Sequence, residues 1–208
     1  MLTASTLKIG LNAISRTMTA NRQYLIELDQ RNGDGDLGVS MDEGFAAACL
    51  SINDSTETDL GRLLVTASKA FNEAAPSTLG TIFSLYMMGS AKVLKGKQEA
   101  DAALASEACE AGVAKVMERA GSKPGEKTVL DALAPAAAAM KAHAAEGMAA
   151  AIAAAAQAAR EGSDSTANMK AVHGRAAYYG DKTIGLVDGG AVAGKLIFEA
   201  LVEALKSC

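Results

Sequence analysis

The chain has 208 residues, a net charge of −4 and a pI near 5.3, and it lacks the basic stripe that a nucleic-acid binder needs to neutralise phosphates. It also lacks a run of about eighteen apolar residues, and no basic-then-apolar leader opens it, so no membrane partner is expected and a cytoplasmic location is. The length suits one core and therefore a single domain over 1–208.

Ala makes up about one residue in five, Trp is absent and aromatics are only 4%, a composition for thin, closely packed helices. Leu7, Leu11, Ile14, Met18, Leu25 and Leu28 repeat at spacings of three, four and seven, which predicts a helix over 6–28 ending in an acidic, glycine-rich loop. A second helix is expected from near Ser40 through Met41, Phe45 and Ala48 to Cys49 or beyond, followed by a polar connection over 51–59. Periodicity resumes over 60–71 until Pro76. Ser77 and Thr78 then give a capping-type start to a helix over 79–94. The stretch 95–100 reads as a turn. A further helix from Leu104 to Met117 is closed by Gly121, Pro124 and Gly125.

Two Ala-rich helices over 129–145 and 148–160 follow, with Pro135 either kinking the first or marking its first turn. A break over 162–170, a short helix near 166–173 and a long connection over 174–191 precede the last helix, 190–206. The count is seven to nine helices with no convincing strand, which favours an all-α antiparallel bundle or closed barrel. Cys49, Cys109 and Cys208 are widely spaced, with no pair at metal-ligand separation, and read as small hydrophobes in a reducing compartment.

Chemistry concentrates in LDQRNGDGDLGVSMDEG, residues 28–44, where Asp29, Asp34 and Asp36 stand among Gly33, Gly35 and Gly38. Carboxylates this close repel one another unless a hard cation lies between them, and glycine lets the backbone turn them toward one point. Two readings stand on the residues alone: a magnesium site, or a solvated loop that caps the next helix. A calcium loop counted from Asn32 places Asn32, Asp34, Asp36 and Glu43 correctly, but Leu37 occupies the sixth position, where the sharp turn requires Gly.

A second region, 123–131 with 174–190, offers Gly125, Thr128, Gly174 and Arg175 to a phosphorylated ligand, although each also reads as a turn or helix end. His173 offers a phosphate contact or reads as a satisfied surface residue, His143 reads as a surface residue, and neither has a second His at ligand spacing. GxxxxGK[ST], GxGxxG after a strand and GxSxG are all absent. A nucleotide would therefore have to be held by helix ends and loop amides.

The motifs LDQRNGDGDLGVSM, LGTIF after a Pro-Ser-Thr turn, KPGEKTVLDAL and GRAAYYGDKTIGLVDGGA occur in an order that resembles the ADP-binding L subunit family of dihydroxyacetone kinases, over nearly the whole chain. The resemblance implies an eight-helix antiparallel barrel holding ADP or ATP at one end, with two Mg²⁺ ions bridged by Asp29, Asp34 and Asp36. It further implies phosphates near Leu37, Gly38 and Ser40, with Ser77 and Thr78 in a second loop. Gly121 and Thr128 would lie near the nucleotide, and Arg175, Asp188 and Gly189 on its far side.

The chain departs from the family where Leu37 replaces His or Thr, where Ser40 replaces Asn, and where NEAAPST replaces a glycine-rich second loop. The family scheme implies a separate sugar-binding K-type subunit and, for a free-standing L form, a phosphohistidine M-type donor that rephosphorylates bound ADP. A related keto sugar such as a tetrulose, a non-catalytic nucleotide sensor and a homodimer remain open.

Overall fold

The computed structural model describes residues 1–206, so Cys208 lies outside the described residues. Eight α-helices occur among them: α1 Ala4–Asp29, α2 Leu37–Asn53, α3 Leu60–Ala74, α4 Thr78–Leu94, α5 Ala102–Ala120, α6 Leu130–Ala142, α7 Met148–Ser165 and α8 Gly189–Leu205. Local chemistry fixes most of the starts. Thr3 and Thr6 form a reciprocal capping box for α1, and Asp59, Ser77, Asp101 and Asp188 accept amide hydrogen bonds at the starts of α3, α4, α5 and α8.

Each helix packs against the next, and α8 returns to α1, which closes an antiparallel up-and-down ring. The connections 30–36, 75–77, 121–129 and 166–188 consequently gather at one end. At the other end, β1 (Leu2–Thr3) pairs antiparallel with β2 (Glu99–Ala100), Leu2 opposite Ala100. This small ladder places Glu99 and Ala100, expected in a turn over 95–100, in a strand.

The core is aliphatic with one aromatic knot. Phe45 and Phe71 meet edge-on at 4.8 Å between ring centroids, and Phe83 lies 5.9 Å from Phe45. Cys49 is buried and Cys109 lies 3.7 Å from Met140 Sδ; burial raises the pKa of both thiols, which suits their packing role. No helix among the described residues is long and apolar enough to cross a membrane.

Several expected boundaries are corrected. Helix α2 begins at Leu37 rather than near Ser40 and extends into the expected connection, reaching Asn53. Helix α7 continues through the expected break at Gly162 to Ser165. The glycine is there for close approach: a methyl at Gly162 would lie 1.9 Å from the carbonyl oxygen of Asp131. That carbonyl is the one Pro135, inside α6, has no N–H to bond. Helix α6 ends at Ala142, followed by a 3₁₀ turn at Ala144–Glu146. In place of a helix over 166–173 there is one 3₁₀ turn, Thr166–Asn168, because the chain becomes extended at Met169 (φ −102°, ψ 152°), whose carbonyl meets Lys127 Nζ (3.2 Å). The long connection contains 3₁₀ structure over Arg175–Thr183, interrupted at Gly180.

Candidate functional site

Helix α1 delivers Asp29 as its last residue, and the chain then folds back over it. Gly33 N donates to Asp29 O (2.6 Å) and Gly35 N to Asp29 Oδ2 (2.7 Å). A methyl at Gly33 would lie 2.1 Å from Asp29 Oδ1, so this loop requires glycine there. Asp36 occupies the N-cap position of α2, yet its side chain makes no capping hydrogen bond. The capping role expected of an acid at a helix start is thus left unused.

Asp29, Asp34 and Asp36 each present a carboxylate oxygen, all within 4.8 Å of one another, Asp29 half-buried and the other two exposed. Partial desolvation, then the charges of Asp34 and Asp29, raise the Asp36 pKa, while Arg175 works against them. Three hard oxygen donors so close are of the kind magnesium takes.

The start of α2 lies tightly against α1: a methyl at Gly38 would be 2.1 Å from Arg22 O. Leu37 and Ser40 are buried, and a methyl at Gly189 would lie 2.6 Å from Leu37 Cδ2. The Leu37 side chain is therefore floor, packed beneath the site between α2 and α8. Ser40 N already donates to Asp36 O (2.9 Å), so the amides of Leu37, Gly38 and Val39 are the donors the helix itself leaves over.

Arg175 is carried onto the acidic loop from the α7–α8 connection, with Nη2 2.7 Å from Asp34 Oδ2. Asp188 caps α8 through Ala191 N (2.7 Å). Its burial pushes its pKa up to about 6, against the Ala191 amide and the Lys127 charge, with Asp131 and Asp29 pushing further up. Asp188 and Gly189 thus stand beside the acidic cluster, joined to it by field and packing.

The remaining expected residues lie at the same end, at the starts or stops of helices. Ser77 Oγ accepts from Gly80 N (3.1 Å) at the start of α4, where Thr78 is the first residue. Gly121 stops α5 with φ 63°. Thr128 Oγ1 accepts from Leu130 N (3.2 Å), and its amide donates to Asp131 Oδ2 (2.7 Å). His173 Nε2 lies 2.6 Å from Glu126 Oε2, and this contact heads the causes that lower the Glu126 pKa. An open groove of about 1020 Å³ runs along α3, α4 and α5 past Gly61, Met88 and Ala111, outside the ring and away from the acidic loop. The chemistry lies on the rim.

Lys127 escapes the sequence reading. Its side chain is buried, and Nζ donates to the carbonyls of Thr166 (2.6 Å), Met169 (3.2 Å), Thr183 (2.9 Å) and Leu186. No residue pattern announces this, because every acceptor is main chain.

The DAK2 domain family matches residues 32–203. The chain is 30% identical over 197 residues to an L-erythrulose 1-kinase of Mycolicibacterium smegmatis, covering 94% of this chain and 34% of that protein. It is 28% identical over 193 residues to the PEP-dependent dihydroxyacetone kinase 1, ADP-binding subunit DhaL, of Listeria innocua, covering 93% and 92% respectively. The crystal structure of the dihydroxyacetone kinase from C. freundii in complex with AMP-PNP and Mg²⁺ superposes with a TM-score of 0.77 at 23% identity, over 98% of this chain and 34% of that one. The chain spans about a third of the length of the erythrulose kinase and of the crystallised enzyme, and nearly all of the Listeria subunit.

Proposed function

The chain belongs to the DAK2 domain family, and we propose that all 208 residues form one cytoplasmic, nucleotide-binding unit that transfers phosphoryl groups within a kinase for a short keto sugar. The observation that carries this is the meeting of Asp29, Asp34 and Asp36, with oxygens within 4.8 Å, beside the α2 N-terminus and Arg175.

Asp29, Asp34 and Asp36 would hold two Mg²⁺ ions. Magnesium there would neutralise charge on the phosphates of ADP or ATP and help align the terminal group for in-line transfer. The carboxylates thus act as ligands and leave proton transfer to other groups. The amides of Leu37, Gly38 and Val39 present the positive end of α2 to phosphate oxygens. Arg175, once released from Asp34, has the planar fork that suits a phosphate.

The acceptor sugar would come from a K-type partner docking at this end. The α7–α8 connection supports that reading: Tyr178 is 92% exposed, and Val172, Tyr179 and Ile184 are exposed with it. We take dihydroxyacetone as the sugar and an M-type phosphohistidine protein as the donor to bound ADP, in line with the name of the Listeria relative. The likeness to an L-erythrulose 1-kinase favours a tetrulose as the second reading.

Mass spectrometry of gently purified protein tests the cofactor role: retained ADP with two magnesium ions is expected, and freely exchanging ATP would point to direct ATP use. Reconstitution with sugar-binding and donor subunits should yield phosphorylated sugar. Failure with every partner and both sugars, while the nucleotide stays bound, would make the protein a sensor.

A further inference from the structure

Lys127 combines two unfavourable features. Its ammonium is buried, with a side chain only 3% exposed, and its backbone sits at φ 59°, a left-handed conformation unusual for a residue with a Cβ. Such strain persists only where surrounding contacts over-determine it. Here they do: Asp131 accepts the amides of Gly125 (2.5 Å) and Thr128 (2.7 Å), on either side of Lys127, and so fixes the post from which the side chain extends.

The four carbonyls that receive the ammonium come from both ends of the connection between α7 and α8: Thr166 and Met169 from one, Thr183 and Leu186 from the other. An ammonium has three protons, so one of them is shared between two of the four acceptors. Further bonds close the same base, Gly185 N to Ala167 O (2.7 Å) and Asp188 N to Thr166 Oγ1 (2.9 Å). Above the base, two side-chain contacts reach the rest of the protein, His173 Nε2 with Glu126 Oε2 and the ion pair of Arg175 with Asp34.

We propose that Lys127 is a positioning residue for phosphoryl transfer: its ammonium fills an internal monovalent-cation site made of four main-chain carbonyls and so holds Arg175 over the aspartate loop. The inference rests on the reading that this loop binds magnesium and nucleotide. A planar guanidinium presents its protons as a fork and not as three from one point, so Lys127→Arg should fill this cage poorly. A neutral side chain leaves the carbonyls without their donor.

The test compares wild type with Lys127→Ala, Lys127→Met, Arg175→Ala and the double variant Lys127→Ala/Arg175→Ala. Amide hydrogen exchange is read without ligand, and ADP affinity is read by calorimetry in magnesium. In both Lys127 variants, amides of 166–186 should exchange about 100-fold faster while those of α1 and α4 keep their protection. Methylammonium should restore protection in Lys127→Ala by about tenfold, since it supplies three protons to the vacated cage, whereas tetramethylammonium should not. In Lys127→Met, whose side chain fills the space, methylammonium should do nothing.

Lys127→Ala and Arg175→Ala should each weaken magnesium-dependent ADP binding about tenfold, and the double variant should lose no more than either. Unchanged exchange in 166–186, equal loosening of α1 and α4, or additive losses of affinity would overturn the proposal. If wild type bound no ADP in magnesium while the exchange and methylammonium results held, the nucleotide reading would fall and the carbonyl cage would stand.

Discussion

Replacing Gly38 by Ala sets two physical effects of opposite sign against each other. On helix propensity alone, Ala in the first turn of α2 should stabilise the protein by about 1 kcal/mol. The structure places the added methyl 2.1 Å from Arg22 O and 2.9 Å from Ile26 N, both main chain, and 2.8 Å from Ile26 Cγ1. A carbon–oxygen contact settles near about 3.3 Å, so the two helices must separate by roughly 1 Å. Overpacking against main chain belongs at the upper end of the usual range, about 3 kcal/mol. The net expectation is therefore a loss of about 2 kcal/mol, or a urea midpoint lower by about 1 M.

The same displacement carries Asp36 and the leftover amides of α2 away from Asp29. Magnesium-dependent ADP affinity should then fall at least about tenfold, read by calorimetry alongside urea unfolding followed by circular dichroism. A Gly38→Ala protein with a higher urea midpoint and unchanged affinity would refute the close crossing of α1 and α2 and the part it plays in shaping the site.

Other outcomes follow from burial and charge. Asp188 has a folded pKa of about 6 against about 3.9 unfolded. The folded state holds that proton more tightly, so this contribution to stability is complete below about pH 4 and is lost as pH rises through about 6, a change of roughly 3 kcal/mol. Urea midpoints of ligand-free protein at pH 4 to 7 should show that decline in wild type and a flatter profile in Asp188→Asn, which can still cap α8; identical profiles would contradict it. Phe71→Ala, at the aromatic knot, should cost about 3–5 kcal/mol in chemical denaturation. Leu50→Ala, at a side chain 76% exposed, should change stability by less than about 0.5 kcal/mol, and a similar loss in both would argue against the assigned burial.

The helices are legible in the sequence because their stripes are long and their starts are chemically marked: Ser77 and Asp188 cap where a side-chain oxygen is needed. The acidic loop is legible because Asp29, Asp34 and Asp36 stand close in sequence among glycines, where a single turn can gather their oxygens. What escapes depends on distance in the chain. Gly162 reads as a stop until Pro135 and Asp131 are seen against it, and both belong to another helix. Arg175 reads as one turn residue among several, and only folding brings it 2.7 Å from Asp34. Lys127 resembles any exposed lysine in a polar turn, since its partners are carbonyls that every sequence possesses. Ser77, Gly121 and Thr128 make their contacts at helix ends: Ser77 caps the start of α4, Gly121 closes α5 and Thr128 bonds to Leu130 N at the start of α6.

The central claim, that the three aspartates hold divalent cations shared with a diphosphate, is tested most directly by titrating ADP into wild type and Asp34→Ala with and without magnesium. The account predicts that magnesium tightens ADP binding in wild type and that Asp34→Ala loses most of that gain while keeping its helical circular dichroism and thermal midpoint. Equal affinity in the two proteins, or ADP binding indifferent to magnesium, would contradict it.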